Sequence, residues 1–112
     1  MIELPNRIYV GPLVYTVVCD AEEWVRHGEE TDEAHGATSN DRQIIYLSPA
    51  NPPSLMRAVL MHEVLHAAAF AAGFRDEDVK YKEEEWVTRV APLVLDALRC
   101  SAGLTAYLEV DE

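Results

Sequence analysis

With 112 residues, 49% of them hydrophobic and 26% charged, the chain has the length and composition of one folded domain around a modest core, not of a disordered polymer. Twenty acidic residues against nine basic ones give a formal net charge of −11, which repels phosphate backbones and disfavours nucleic-acid binding; a basic polypeptide partner or simply a well-solvated surface suits it better. No basic-plus-apolar leader opens the sequence and no apolar run reaches bilayer length, so a soluble, cytoplasmic protein without a membrane partner is expected.

In chain order, residues 7–10 (Arg-Ile-Tyr-Val) and 13–19 (Leu-Val-Tyr-Thr-Val-Val-Cys) are rich in β-branched and aromatic side chains and predict a hairpin turning at Gly11-Pro12. Asp20 can cap a short helix over Ala21–His27 that carries Trp24 and Val25. The polar, acidic stretch from Gly28 to Asp41 predicts an exposed loop or loose hairpin. A third strand follows at Gln43–Leu47, stopped by Ser48-Pro49 and then Pro52-Pro53. Ser54 is a candidate N-cap for a helix through good helix formers to Gly73, and Gly73-Phe74 reads as its end. After the acidic link 75–78, Asp76 can cap a second helix over Glu77–Ser101 with the stripe Trp86, Val87, Val90, Ala91, Val94, Leu95 and Leu98. Pro92 inside it predicts a bend without a break. The tail from Gly103 carries Leu104, Tyr107, Leu108 and Val110 and either docks or trails. Cys19 and Cys100 match no CxxC pattern and read as buried free thiols. No repeat or second domain is visible, so residues 1–112 form one α+β domain, a sheet of about three strands packed on two antiparallel helices.

The chemistry concentrates in His62-Glu63-Val64-Leu65-His66, in the middle of the first long helix. Positions four apart on a helix lie about 40° apart around the axis and one turn apart along it, so His62 and His66 can close on one metal ion. Glu63, about 100° from His62, can reach a water on that ion. Zinc lowers the pKa of such a water toward neutrality, and the glutamate takes its proton as it attacks a carbonyl. Random order would yield this pentapeptide roughly one or two times in a hundred, so the helical context matters as much as the letters. The competing reading is a pair of core histidines bonded to the backbone.

A zinc site of this kind needs a third protein ligand. With a turn near residue 75, the returning helix would bring Glu84 level with His66 at about 1.5 Å per residue. On a helical wheel Glu83 falls near the centre of the apolar stripe, Glu84 on its edge and Glu85 on the polar side, which leaves the first two open. A solvated acidic first turn, favoured by the helix dipole, accounts for at least one of the three.

The order "HEVLHAAAFAAGF", an acidic link, then "EEEWVTRVAPLVLDAL" resembles the small gluzincin-type metallopeptidases: minigluzincins, ImmA/IrrE-type proteins and phage-encoded small zinc peptidases. The likeness spans about residues 42–98. It implies a minimal zincin-like domain in which His62 and His66 bind zinc, Glu63 is the general base and a glutamate of the following helix is the third ligand. The second motif of these proteins, Glu-x-x-Val-x-x-x-Ala, fits Glu84, Val87 and Ala91 and so selects Glu84, with Glu83 next. The Glu-Ala-x-x-Phe-Ala form common in ImmA/IrrE-type proteins is missing, and no metzincin extension follows His66. The resemblance also implies a peptide or protein substrate lying extended beside an edge strand, by position Gln43–Leu47. Two histidines and a glutamate suit zinc, with cobalt and manganese as substitutes.

Tyr46, Tyr81, Tyr107, His27 and His35 are the side chains that can assist an oxyanion, Tyr81 first because it lies one turn before Glu84. His27 and His35 can also be an accessory metal pair, although solvated loop histidines fit them better. A zinc peptidase is therefore expected. A non-catalytic zincin-fold interaction module, of phage or regulatory origin, is the alternative, and a metal-free helical hairpin is the third. Oligomeric state and substrate identity leave no trace in the sequence.

Overall fold

The first two strands are β1 (Arg7–Val10) and β2 (Leu13–Val18), antiparallel with Ile8 opposite Tyr15 and Val10 opposite Leu13. Their two-residue turn is the predicted Gly11-Pro12, and Gly11 has φ +59°, a conformation that side chains resist. The computed structural model from which these features are taken describes residues 3–31, 35–74 and 83–109, without the side chains of 27–31 and 83–88.

α1 (Ala21–Thr31) starts as predicted at Asp20, whose Oδ1 accepts from the backbone N–H of Glu22 and Glu23 at 2.9 and 3.1 Å. It runs four residues past His27, because Glu29 and Glu30 are good helix formers and one internal glycine costs only about 1 kcal/mol. The rest of the expected loop is not all loop. It contains a fourth strand, β3 (Gly36–Ser39), paired antiparallel with β4 (Ile44–Leu47) so that Gly36 faces Leu47 and Ser39 faces Ile44.

β4 also pairs in parallel with β2, Thr16 opposite Ile44 and Val18 opposite Tyr46, which gives the sheet order β1-β2-β4-β3. The strand expected at the edge is therefore an interior one. Its neighbours occupy both sides, and its run Ile45-Tyr46-Leu47 is wholly buried, as a strand covered on both faces requires. Ahead of it Gln43 adopts φ +55° and patches the ladder: its carbonyl accepts from Thr16 N–H at 3.0 Å and its Oε1 from Val14 N–H at 3.1 Å.

α2 (Pro53–Ala71) begins two residues earlier than a Ser54 cap would allow. Pro52 holds the N-cap position in extended geometry, Pro53 takes the first helical place, and Ser54 lies inside the first turn. The predicted end is present in full: Gly73, at φ +95°, donates its N–H to the Phe70 carbonyl and Phe74 donates to that of Ala69. Buried positions on α2 are Val59, Leu60, Glu63, Val64, Ala67 and Ala68, one stripe at helical spacing.

α3 (Glu83–Cys100) continues unbroken through Pro92. The beginning of the predicted helix, with the Asp76 cap, lies outside the described residues. The tail docks. α4 (Leu104–Leu108) buries Leu104 and Tyr107, and Ser101 Oγ accepts from Tyr9 N–H at 2.8 Å, tying the end of α3 to β1. Val110 is outside the described residues.

Ile8, Val10, Tyr15, Ile45 and Leu47 from the sheet meet Val59, Leu60, Val64, Ala67 and Ala68 of α2, with Val90, Ala97, Leu104 and Tyr107 closing the core. This is the α+β architecture read from the sequence, with four strands instead of about three. Burial pushes the Tyr15 phenol up to about 12, so it stays neutral and donates to Asn40 Oδ1 at 2.8 Å. The cysteines are free, as expected, but not buried: Cys100 is exposed and Cys19 half-buried. Desolvation, and then the adjacent Asp20 carboxylate, raise the Cys19 thiol above its ordinary value.

Candidate functional site

α2 presents its motif on two flanks. His62 and His66 lie beside the buried stripe and are both exposed. Their Nε2 atoms face each other at 3.0 Å, with ring centroids 4.7 Å apart and planes at 77°. The core-histidine reading is thereby overturned: the rings turn to solvent and to each other. Two imidazole nitrogens bound to one tetrahedral zinc at about 2.0–2.1 Å each stand roughly 3.3 Å apart. The observed pair is a few tenths of an ångström from that spacing, so its lone pairs fit a shared ion with little movement.

Glu63 lies on the adjoining flank, about 100° around the axis from His62 and about 60° from His66. It belongs to the buried stripe at 5% exposure, and its Oε1 accepts from Thr38 Oγ1 at 2.8 Å. The same hydroxyl lies 3.2 Å from the Glu63 carbonyl oxygen, so one proton serves two acceptors with the carboxylate nearer. Burying an ionised carboxylate without such a donor is expensive. Thr38 stands on β3, the last strand of the sheet, which lies against α2. A Cβ added to Gly36, on the same face of β3, would come within 2.6 Å of Val59 Cγ1, so glycine is what lets the strand approach the helix this closely.

The third ligand depends on where α3 lies along α2. Arg89 donates to the Ala72 carbonyl and stacks 4.3 Å over the Phe74 ring, both at the C-terminal end of α2. At the other end Tyr107, buried in α4, is close enough to Arg57 for that cation to lower a phenol that burial raises more strongly. The two helices therefore run antiparallel, as the short link predicts. The levelling step fails, however. Glu84 opposite His66 would put Arg89 opposite residue 61, about 16 Å of helix from Ala72, against an arginine reach of roughly 7 Å. The side chains of Glu83, Glu84 and Glu85 lie outside the described residues, and Glu84 stands on the resemblance of its motif alone. Among the described residues no third His, Cys, Asp or Glu joins the histidine pair.

Of the assisting groups, Tyr46 and Tyr107 are buried packing residues. His35 is exposed and locks the entry to β3, its Nδ1 3.1 Å from Asn51 Oδ1 and its carbonyl accepting from Asn51 Nδ2 and Ser48 N–H at 2.9 Å each. Tyr81 and the His27 side chain lie outside the described residues. Thr38 is the functional candidate that sequence reasoning missed. Its signal was present: Gly36 and Thr38 share one face of a short segment that Asn40-Asp41 turns back onto Ile44–Leu47.

Comparison of the chain with protein-family models, curated proteins and solved structures finds no match. Among the described residues no helix is long and apolar enough to cross a membrane.

Proposed function

We propose that the protein is a zinc-dependent peptidase in which His62 and His66 hold the metal, Glu63 is the general base and the third protein ligand is Glu84, chosen by its motif and not by the register of α3 on α2. The observation that carries this is the Nε2 pair at 3.0 Å, with the adjacent Glu63 carboxylate held by a hydroxyl instead of pairing with either ring. A zinc ion held by that pair would supply Lewis-acid polarisation of a peptide carbonyl and acidify water. Glu63 would take the proton of the attacking water and return it to the leaving amine. The open side of β3, next to α2, is the edge along which an extended peptide can add as a further strand, in place of the interior β4. The competing module without catalysis has no use for a base, and the buried, hydrogen-bonded Glu63 favours the enzyme.

Elemental analysis of the purified protein beside His62→Ala, Glu83→Ala and Glu84→Ala tests the site. About one zinc per chain, lost with His62 and with Glu84 but kept with Glu83, is the expected result. No zinc after loading removes the hydrolase reading, and loss with Glu83 instead of Glu84 reassigns the ligand. Glu63→Gln should keep zinc and lose cleavage of unfolded casein. A zinc-loaded wild type that cleaves nothing leaves the interaction module.

A further inference from the structure

Glu63 has three rotatable side-chain bonds, and a flexible base spends little time where the water is. β3 removes that freedom. Two residues of strand advance about 6.6 Å and four residues of helix about 6 Å, so a contact of Gly36 with Val59 brings Thr38 to Glu63 in step. Thr38 is short and β-branched, hence stiff at χ1, and donates to Oε1 at 2.8 Å. Thr38 holds one of the two carboxylate oxygens, Oε1, in place.

We propose that Thr38 is the positioning residue of the general base: its hydroxyl fixes the Glu63 carboxylate by one oxygen and presents the other to the reaction. The proposal rests on the peptidase reading. Thr38 touches neither metal nor substrate in this role and acts only through Glu63. The donor is a hydroxyl on the strand that flanks the substrate edge, so the same strand that would dock the peptide also sets the base.

Thr38→Val keeps the shape and removes the donor, and Thr38→Ser keeps the donor. On the zinc-loaded chain with fluorescently labelled unfolded casein, Thr38→Val should lower kcat about tenfold with KM and zinc content unchanged. Thr38→Ser should recover kcat to within about threefold of wild type. In the metal-free protein, the carboxyl carbon-13 signal of Glu63 should move in Thr38→Val and stay in Thr38→Ser, a readout that a packing role alone would not give. An active wild type matched in kcat by Thr38→Val, or an unmoved Glu63 signal, overturns the role of Thr38 alone. A zinc-loaded wild type without turnover overturns the peptidase reading and this role together.

Discussion

On one flank of α2, Glu63 is 5% exposed, sits in line with Leu60 and Val64, and has its carboxylate oxygen held by Thr38 from the neighbouring strand. On the adjoining flank, one residue before it and three after, His62 and His66 are exposed and find each other across one turn of helix. The difference teaches how one turn of helix can hold two kinds of polar group. The carboxylate is set into the core and braced by tertiary structure. The imidazoles are left at the surface, where helix geometry alone brings them together, and in the proposed peptidase the first would be the aimed base and the second the open ligands.

If that division is right, substitutions on the two flanks of one helix should differ sharply in the metal-free protein. Leu60→Ala, one turn before Val64 and fully buried, should cost about 2–4 kcal/mol in chemical denaturation, because it opens a cavity beneath Glu63. A small effect there would mean that α2 is not seated as described. Gly36→Ala should cost about 1–3 kcal/mol, since its methyl meets Val59 and the Tyr46 carbonyl at 2.6 and 3.0 Å. It should also separate β3 from α2, and so disturb the Glu63 carboxyl signal without touching Glu63. Arg89→Ala should cost about 1 kcal/mol in thermal melts, from a lost bond to the Ala72 carbonyl at a helix C-terminus and the lost stacking on Phe74. His62→Ala, on the open flank, should change metal-free stability by less than about 0.5 kcal/mol, while zinc should raise the melting temperature of wild type and not of the variant. A large metal-free loss at His62 would erase the contrast between the flanks.

Zinc linkage sharpens the comparison further. A site assembled by two surface histidines and a residue of α3 joins the two helices, so bound zinc should slow hydrogen exchange in the first half of α3 as well as at the end of α2. Slowing confined to α2 would place the third ligand elsewhere.

Much of the candidate site was legible in advance because it is local. His62 and His66 are neighbours on any helix, and the formers leading to Gly73 ensured a helix there. The Gly11-Pro12 turn, the Asp20 cap and the left-handed Gly73 terminus are likewise local events, each carried by a few adjacent residues. What failed depended on partners outside each segment. Gly36–Ser39 is short and polar, with only its alternation and the Asn40-Asp41 turn to mark the loose hairpin that the sequence left open, and it becomes a strand because β4 offers it a ladder. That pairing in turn moved Gln43–Leu47 from the edge to the interior, a place that its unbroken apolar run Ile44-Ile45-Tyr46-Leu47 suits. Levelling Glu84 with His66 assumed an ideal turn at residue 75, whereas Arg89 sets the register of α3 through contacts that no spacing rule contains.

By itself, then, the sequence determined an α+β chain, the start of α1 at Asp20 and the end of α2 at Gly73, and a pair of imidazoles one turn apart with a carboxylate between them, since all of these follow from backbone propensity and helical period. Tertiary structure alone decided which flank of that helix is buried, which strand forms the edge beside it, and that a threonine from that strand holds the glutamate. Those choices arise from packing between segments far apart in the chain, where a contact depends on how several elements fill space together and not on the residues adjoining it.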